Sequence, residues 1–356
     1  SEIDLEEGRK FWSFIPPTKS QAPVVKNAAW PRGEIDQFIL AKLEEKKLTV
    51  TRDATRRELI RRIHFDLTGL PPTPGEISKF LNDQSEDAFV KVVDRLLRSP
   101  HFGEHWGRHW LDVARYSESN GMERNYTYPH AWRYRDYVIR SFNRDKPFKQ
   151  FIREQIAGDL LGRDKRKPTD DELIATGFLA LGPKPLNQGN KALFKLDVVD
   201  EQIDATTRAF LGLTVSCARC HDHKFDPIPT KDYYAMAGIF RSTDAHYGTI
   251  NGQGNRQPSR LLTIVGSDKN RAQKIRNHEF KLEQENAKLL LMQEENRELR
   301  ALKKKANANQ KVRMRRLNRD IKAARANIKN LEEQAPAANF AMGVKDGRVA
   351  DARALV

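Results

Sequence analysis

At 356 residues and 38% hydrophobic, the chain can bury two or so cores, and no apolar run approaches the ~20 residues of a membrane-spanning helix, so a transmembrane segment is excluded. Net charge is +15, but residues 268–334 alone hold 19 Lys/Arg against 10 Asp/Glu, so the basicity belongs mainly to one element and argues against a general nucleic-acid-binding surface. The opening Ser-Glu-Ile-Asp-Leu-Glu-Glu is no signal peptide, so any leader is expected to lie outside this chain, and the compartment has to be argued from chemistry.

In chain order, residues 1–33 read as an extended arm, with four prolines and no helical or alternating period over 11–33. Trp12, Phe14 and Trp30 are expected to anchor it on the main domain. A helical pattern begins at Glu34, with Ile35, Phe38, Ile39 and Leu43 on one face. A second helix opens at Ala54-Thr55 and stops at Gly69-Leu70-Pro71-Pro72. Further amphipathic helices are expected at about 75–82, 86–98, 103–117, 130–144, 148–161, 170–181, 195–213 and 230–241. Residues 34–245 therefore predict a mainly α domain. Residues 246–267 read as a Gly/Asn/Gln-rich linker with a short strand in Arg260–Val265.

Residues 268–334 differ in kind. Met314, Leu317, Ile321, Ala324, Ile328 and Leu331 step by threes and fours, a heptad seam. Ile275, Leu282, Leu289, Met292 and Leu299 form a weaker seam interrupted by Glu285 and Asn296. With a reversal near 303–309, the stretch predicts a basic antiparallel coiled-coil hairpin; a continuous helix dimerising with a second chain is the rival. Residues 335–356 contain β-prone segments around Asp346-Gly347, a hairpin signal, and read as the start of a truncated C-terminal β-containing domain.

The only two cysteines fall in Cys217-Ala-Arg-Cys220-His221. This C-x-x-C-H form is the attachment motif of haem c: two thiols join the haem's vinyl groups and the adjacent imidazole ligates iron. A zinc site using the cysteines with His221 or His223 has suitable ligand types but lacks the usual second pair. A redox dithiol or a plain disulfide remains open. Covalent haem attachment occurs outside the bacterial cytoplasmic membrane, so the haem reading carries a periplasmic or cell-surface expectation.

Five strings together are distinctive: Phe65-Asp-Leu-Thr-Gly-Leu-Pro-Pro-Thr-Pro74, His109-Trp-Leu-Asp-Val-Ala-Arg-Tyr116, Trp132-Arg-Tyr-Arg-Asp136, Gln155-Ile-Ala-Gly-Asp-Leu160 and Cys217-Ala-Arg-Cys-His-Asp-His-Lys-Phe-Asp-Pro227. They resemble the planctomycete cytochrome c-like domain family over residues 11–241. The resemblance implies one covalent haem c on Cys217 and Cys220 with His221 as proximal ligand, in the amino-terminal part of a longer protein. It implies no particular reaction: electron transfer to a redox partner or attached C-terminal domain, and haem-dependent oxidoreductase chemistry, both remain.

His105 and His109 lie four apart on one helix face with Asp112 and Tyr116, the spacing of a metal pair, and either imidazole suits a distal iron ligand or proton donor. His109 is the preferred catalytic candidate because the resemblance centres on it. Met122, Met236, His130 and His223 are the remaining distal candidates, and Arg115, Arg133 and Arg135 could pair with haem propionates. The loop Glu118–Glu123 concentrates oxygen ligands around a glycine and could hold calcium, without full EF-hand spacing. No Walker loop, G-x-G-x-x-G, G-x-S-x-G or H-E-x-x-H string occurs. For the basic hairpin, acidic polysaccharide or a partner subunit is the expected partner, since no aromatic stacking pattern interleaves its lysines.

Overall fold

The structure is a computed structural model that describes residues 4–122, 125–162, 166–249, 254–266, 269–302, 307–333 and 339–347. A short helix, α1 (Leu5–Gly8), and a 3₁₀ turn at Trp12–Phe14 precede α2 (Glu34–Glu45), α3 (Arg56–Thr68), α4 (Pro74–Asn82), α5 (Ala88–Leu97) and α6 (Pro100–Val113). Then come α7 (Trp132–Asn143), α8 (Phe148–Ala157), α9 (Asp170–Ala175), α10 (Gly177–Ala180), α11 (Lys191–Leu211) and α12 (Thr230–Arg241). The last elements are β1 (Thr243–His246), β2 (Leu262–Ile264), α13 (Lys269–Ala301), α14 (Ala308–Glu333), β3 (Asn339–Ala341) and β4 (Gly343–Asp346). The chain is mainly helical, as its periodicity predicts.

Local chemistry fixes the helix ends. Thr55 and Glu58 form a capping box at the start of α3, Thr73 and Glu76 one at α4, and Thr169 and Glu172 one at α9. Gly69, left-handed at φ 68°, stops α3, and a side chain there would run into the His105 ring. The helices bury two apolar clusters. The smaller one joins Ile60 of α3, Phe80 of α4, and Ala88, Val92 and Leu96 of α5. The larger gathers Tyr134 and Val138 of α7, Phe151 of α8, Phe178 of α10, Ile203 of α11 and Phe240 of α12. Trp110 of α6 packs edge-on to Phe151 and donates its Nε1–H to Tyr134 Oη and Gln155 Oε1, both at 3.0 Å.

One expectation is corrected. The arm does not lay Trp12 on the domain: that side chain is 76% exposed, and Ile35, Phe38 and Ile39 of α2 are also exposed, with Leu40 buried instead. Phe14 and Trp30 are half-buried, and the arm gains a polar anchor where the backbone N–H groups of Lys26 and Asn27 donate to the Glu44 carboxylate. The second half of the hairpin expected around Asp346-Gly347 lies outside the described residues. Antiparallel β4 pairs with β1 and β3 with β2, because Ala341, Met342 and Val344 are apolar enough to be drawn into the larger core. Gly343 is required there: a Cβ would meet Thr176 Oγ1 at 2.5 Å, the same hydroxyl that accepts the Val344 N–H. Ala341, Met342 and Val344 thus join the larger core of the helical domain.

Helices α13 and α14 run side by side and antiparallel, as cross-pairs Glu295–Arg313, Asn296–Asn318 and Glu285–Asn327 show. Leu317, Ile321, Ala324 and Ile328 are buried between them. The two seam interruptions, Glu285 and Asn296, both hydrogen-bond across it. The chain reverses between Leu302 and Asn307, where Asn307 and Gln310 cap each other's backbone N–H.

Candidate functional site

The C-x-x-C-H segment follows α11, which ends at left-handed Gly212. Residues Val215–Arg219 then form a 3₁₀ turn, whose period of three stacks residues three apart. Val215 and Ala218, three apart, are buried in the larger core. Cys217 and Cys220, also three apart, are free and exposed, and His221 beside them is exposed. The buried pair anchors the segment, and both thiols and the His221 imidazole are exposed.

The surrounding contacts hold this presentation. Arg219, between the cysteines, reaches Asp200 of α11 at 3.1 Å, and the Tyr233 hydroxyl donates to the other oxygen of the same carboxylate at 2.7 Å. Tyr234 donates its hydroxyl to the Arg219 carbonyl. His221 Nδ1 lies 2.7 Å from the Asp222 carbonyl, so Nδ1 carries the hydrogen and the Nε2 lone pair is free for an electrophile. The Asp222 carboxylate accepts the Thr230 N–H at the start of α12, and that bond holds its pKa below the usual range.

The remaining candidates divide plainly. His223 is buried and structural: Nδ1 accepts the N–H groups of Phe225 and Asp226, leaving Nε2–H to donate to Thr214 Oγ1 at 3.0 Å. His105 and His109 are close, with ring centroids 5.4 Å apart, but they sit where α6 meets the Gly69 end of α3, and His109 is exposed. Met236 packs against the larger core, Met122 is exposed, and the His130 ring lies edge-on to Phe340. In the loop after α6, Asn120 is consumed internally, donating to the Lys184 carbonyl and accepting the Tyr126 N–H. Glu123 lies outside the described residues.

Arg115 does not offer its guanidinium to a surface ligand. It is largely buried, left-handed at φ 55°, lies 5.9 Å over the Phe178 ring and pairs with Glu201 of α11 at 2.9 Å. Burial pushes its pKa down and that of Glu201 up. Arg133 stacks on Trp132 at 4.5 Å, and Arg135 pairs with Asp136 and Glu118. Neither is brought to the cysteines by any of these contacts.

Sequence reasoning missed two supporting groups. Asp200 and Glu201 are adjacent on α11, one holding the cysteine turn and the other the buried Arg115. Lys184, 1% exposed, donates to the carbonyls of Ala180, Leu181 and Gly182. The available signal was Asp200-Glu201 set among the buried positions Val199, Gln202 and Ile203 of one helix. Among the described residues, no three His, Cys, Asp or Glu side chains converge as ligands for a metal ion, so the two thiols and neighbouring imidazoles do not form a ready tetrahedral site.

Residues 34–245, more than half of the chain, match the profile of PSCyt2, a protein of unknown function (DUF1549), and the chain belongs to this family. No curated protein and no solved structure matches it.

Proposed function

We propose that this is a c-type cytochrome-like domain, with Cys217 and Cys220 holding one haem as thioethers and His221 ligating its iron through Nε2. The observation that carries the reading is the 3₁₀ turn: it commits Val215 and Ala218 to the core and leaves both thiols exposed, with the exposed His221 directly after them. The bond from His221 Nδ1 to the Asp222 carbonyl sets the tautomer that iron ligation requires. When bound, haem c supplies a one-electron iron couple. The chain's own part is to hold the turn through Asp200, Arg219, Tyr233 and the His223–Thr214 contact.

The exposed position of the turn favours electron transfer over substrate chemistry, because a surface haem edge can meet a redox partner or attached domain directly. His109 is not needed in that role. The lack of converging ligands disfavours the zinc alternative. Covalent attachment places the protein in the periplasm or at the cell surface. The α13–α14 pair is then a coiled-coil spacer and interaction arm outside the haem chemistry.

The test is an alkaline pyridine haemochrome spectrum of the full chain made in a host with cytochrome c maturation. A c-type band is expected, lost from the denatured protein in C217S/C220S and altered in its native iron spectrum by H221A. No c-type band, with stoichiometric zinc by elemental analysis, overturns the haem reading. Slow or negligible carbon monoxide binding is expected of the electron-transfer role; fast, tight binding overturns that role alone.

A further inference from the structure

Midway along the α13–α14 pair, a groove of about 510 Å³ opens between the helices, lined by Asn296, Arg297 and Arg300 of α13 and Asn318, Lys322 and Arg325 of α14. That volume lies within the roughly 300–1,000 Å³ typical of small-ligand sites. Four cations face it and no carboxylate lines it. Arg313 and Lys288 elsewhere on the pair are matched to Glu295 and Glu285, whereas Arg297, Lys322 and Arg325 have no ion-pair partner among the described residues.

A second feature is independent of charge. Asn296 is only 7% exposed, and its amide donates to Asn318 Oδ1 at 2.8 Å, an oxygen that also accepts from Arg300. Its own Oδ1 is buried and has no donor. A buried acceptor without a donor is costly and uncommon, so the groove lacks a hydrogen-bond donor as well as negative charge.

We propose that this groove binds a segment of acidic oligosaccharide, its carboxylate or sulfate groups held by Arg297, Lys322 and Arg325 and a sugar hydroxyl donating to Asn296 Oδ1. The arginine forks match either oxyanion, and only a hydroxylated polyanion satisfies both features. A DNA phosphodiester backbone provides charge without that donor, and no aromatic ring among the groove's lining residues offers a base, of DNA or RNA, a surface to stack on.

The test titrates the full chain, at fixed moderate salt, with tetragalacturonate, a sulfated dextran oligomer, tripolyphosphate and oligothymidylate. One or both saccharides are expected to bind at least about tenfold more tightly than tripolyphosphate, the two arms identifying the anion. R297Q/R325Q should weaken saccharide binding by about tenfold or more, whereas R316Q/R319Q, which removes equal charge outside the groove, should change it less than about twofold. N296L should abolish the preference over tripolyphosphate. Equal losses in the two double variants, tripolyphosphate or oligothymidylate binding as tightly as the saccharides, or no saccharide binding would each overturn the proposal.

Discussion

Lys184 is an ammonium group enclosed by its own loop and the Tyr128 and Tyr247 rings, 5.8 and 5.4 Å from its nitrogen. Burial lowers its pKa from 10.5 to about 8, against the opposing attraction of Glu201. Because the folded value is the lower one, the unfolded chain binds the extra proton between about pH 8 and 10.5, and stability gains from this group as pH rises through that window. The gain between pH 8 and 10 is about 2 kcal/mol at most. In urea unfolding at the two pH values, K184M should lack that increment relative to the parent chain; an unchanged increment would remove the burial account. Nothing in the sequence around Gly182-Pro183-Lys184-Pro185 announces this environment, because α11 and the loop after α6 supply it from elsewhere in the chain. Cys217, Cys220 and His221 stand out in the sequence for the opposite reason: their spacing alone singles them out, with no need of the fold around them. His223 shows the boundary, since its type suggested a ligand and only the folded loop reveals the backbone N–H groups it serves.

Strand β2 ends where α13 begins, and β3 starts after α14, yet Ile264 pairs directly with Asn339. The long helical pair is therefore an insertion between two strands that would otherwise make an ordinary hairpin, with its ends already adjacent. Replacing residues 267–338 by a short Asn-Gly turn should leave a domain that unfolds cooperatively, within a few degrees of the parent melting temperature by circular dichroism. Loss of the cooperative transition would show that the helical pair supports the core. The helices themselves were legible because a period of 3.6 or 3.5 repeats over many residues and Gly69 marks a stop. Of the strands, β2 was legible in Arg260–Val265 and β-prone character was seen around β3 and β4, but β1 and all the pairings were not, because each strand is three or four residues long and its partner lies far away in sequence.

Taken as a whole, the molecule closes its core with nested pairings, β1 with β4 outside and β2 with β3 inside, so the first strand waits for a partner on the far side of everything from Tyr247 to Met342. During synthesis this imposes an order. The helical domain and the Cys217 turn leave the ribosome first, while α13 and α14, rich in local contacts, take several seconds more at roughly 5–20 residues per second. Throughout that interval Thr176, Leu173 and Leu262 lack the cover that Gly343 and Val344 later provide. A chain halted after Glu333 should accordingly bind a hydrophobic dye and yield to protease within the 170–180 region, whereas one extended through Gly347 should resist both. Strand β4 acts as a latch, so the exposed thiols are presented on a scaffold that stays unsealed until the helical arm and β4 have been made.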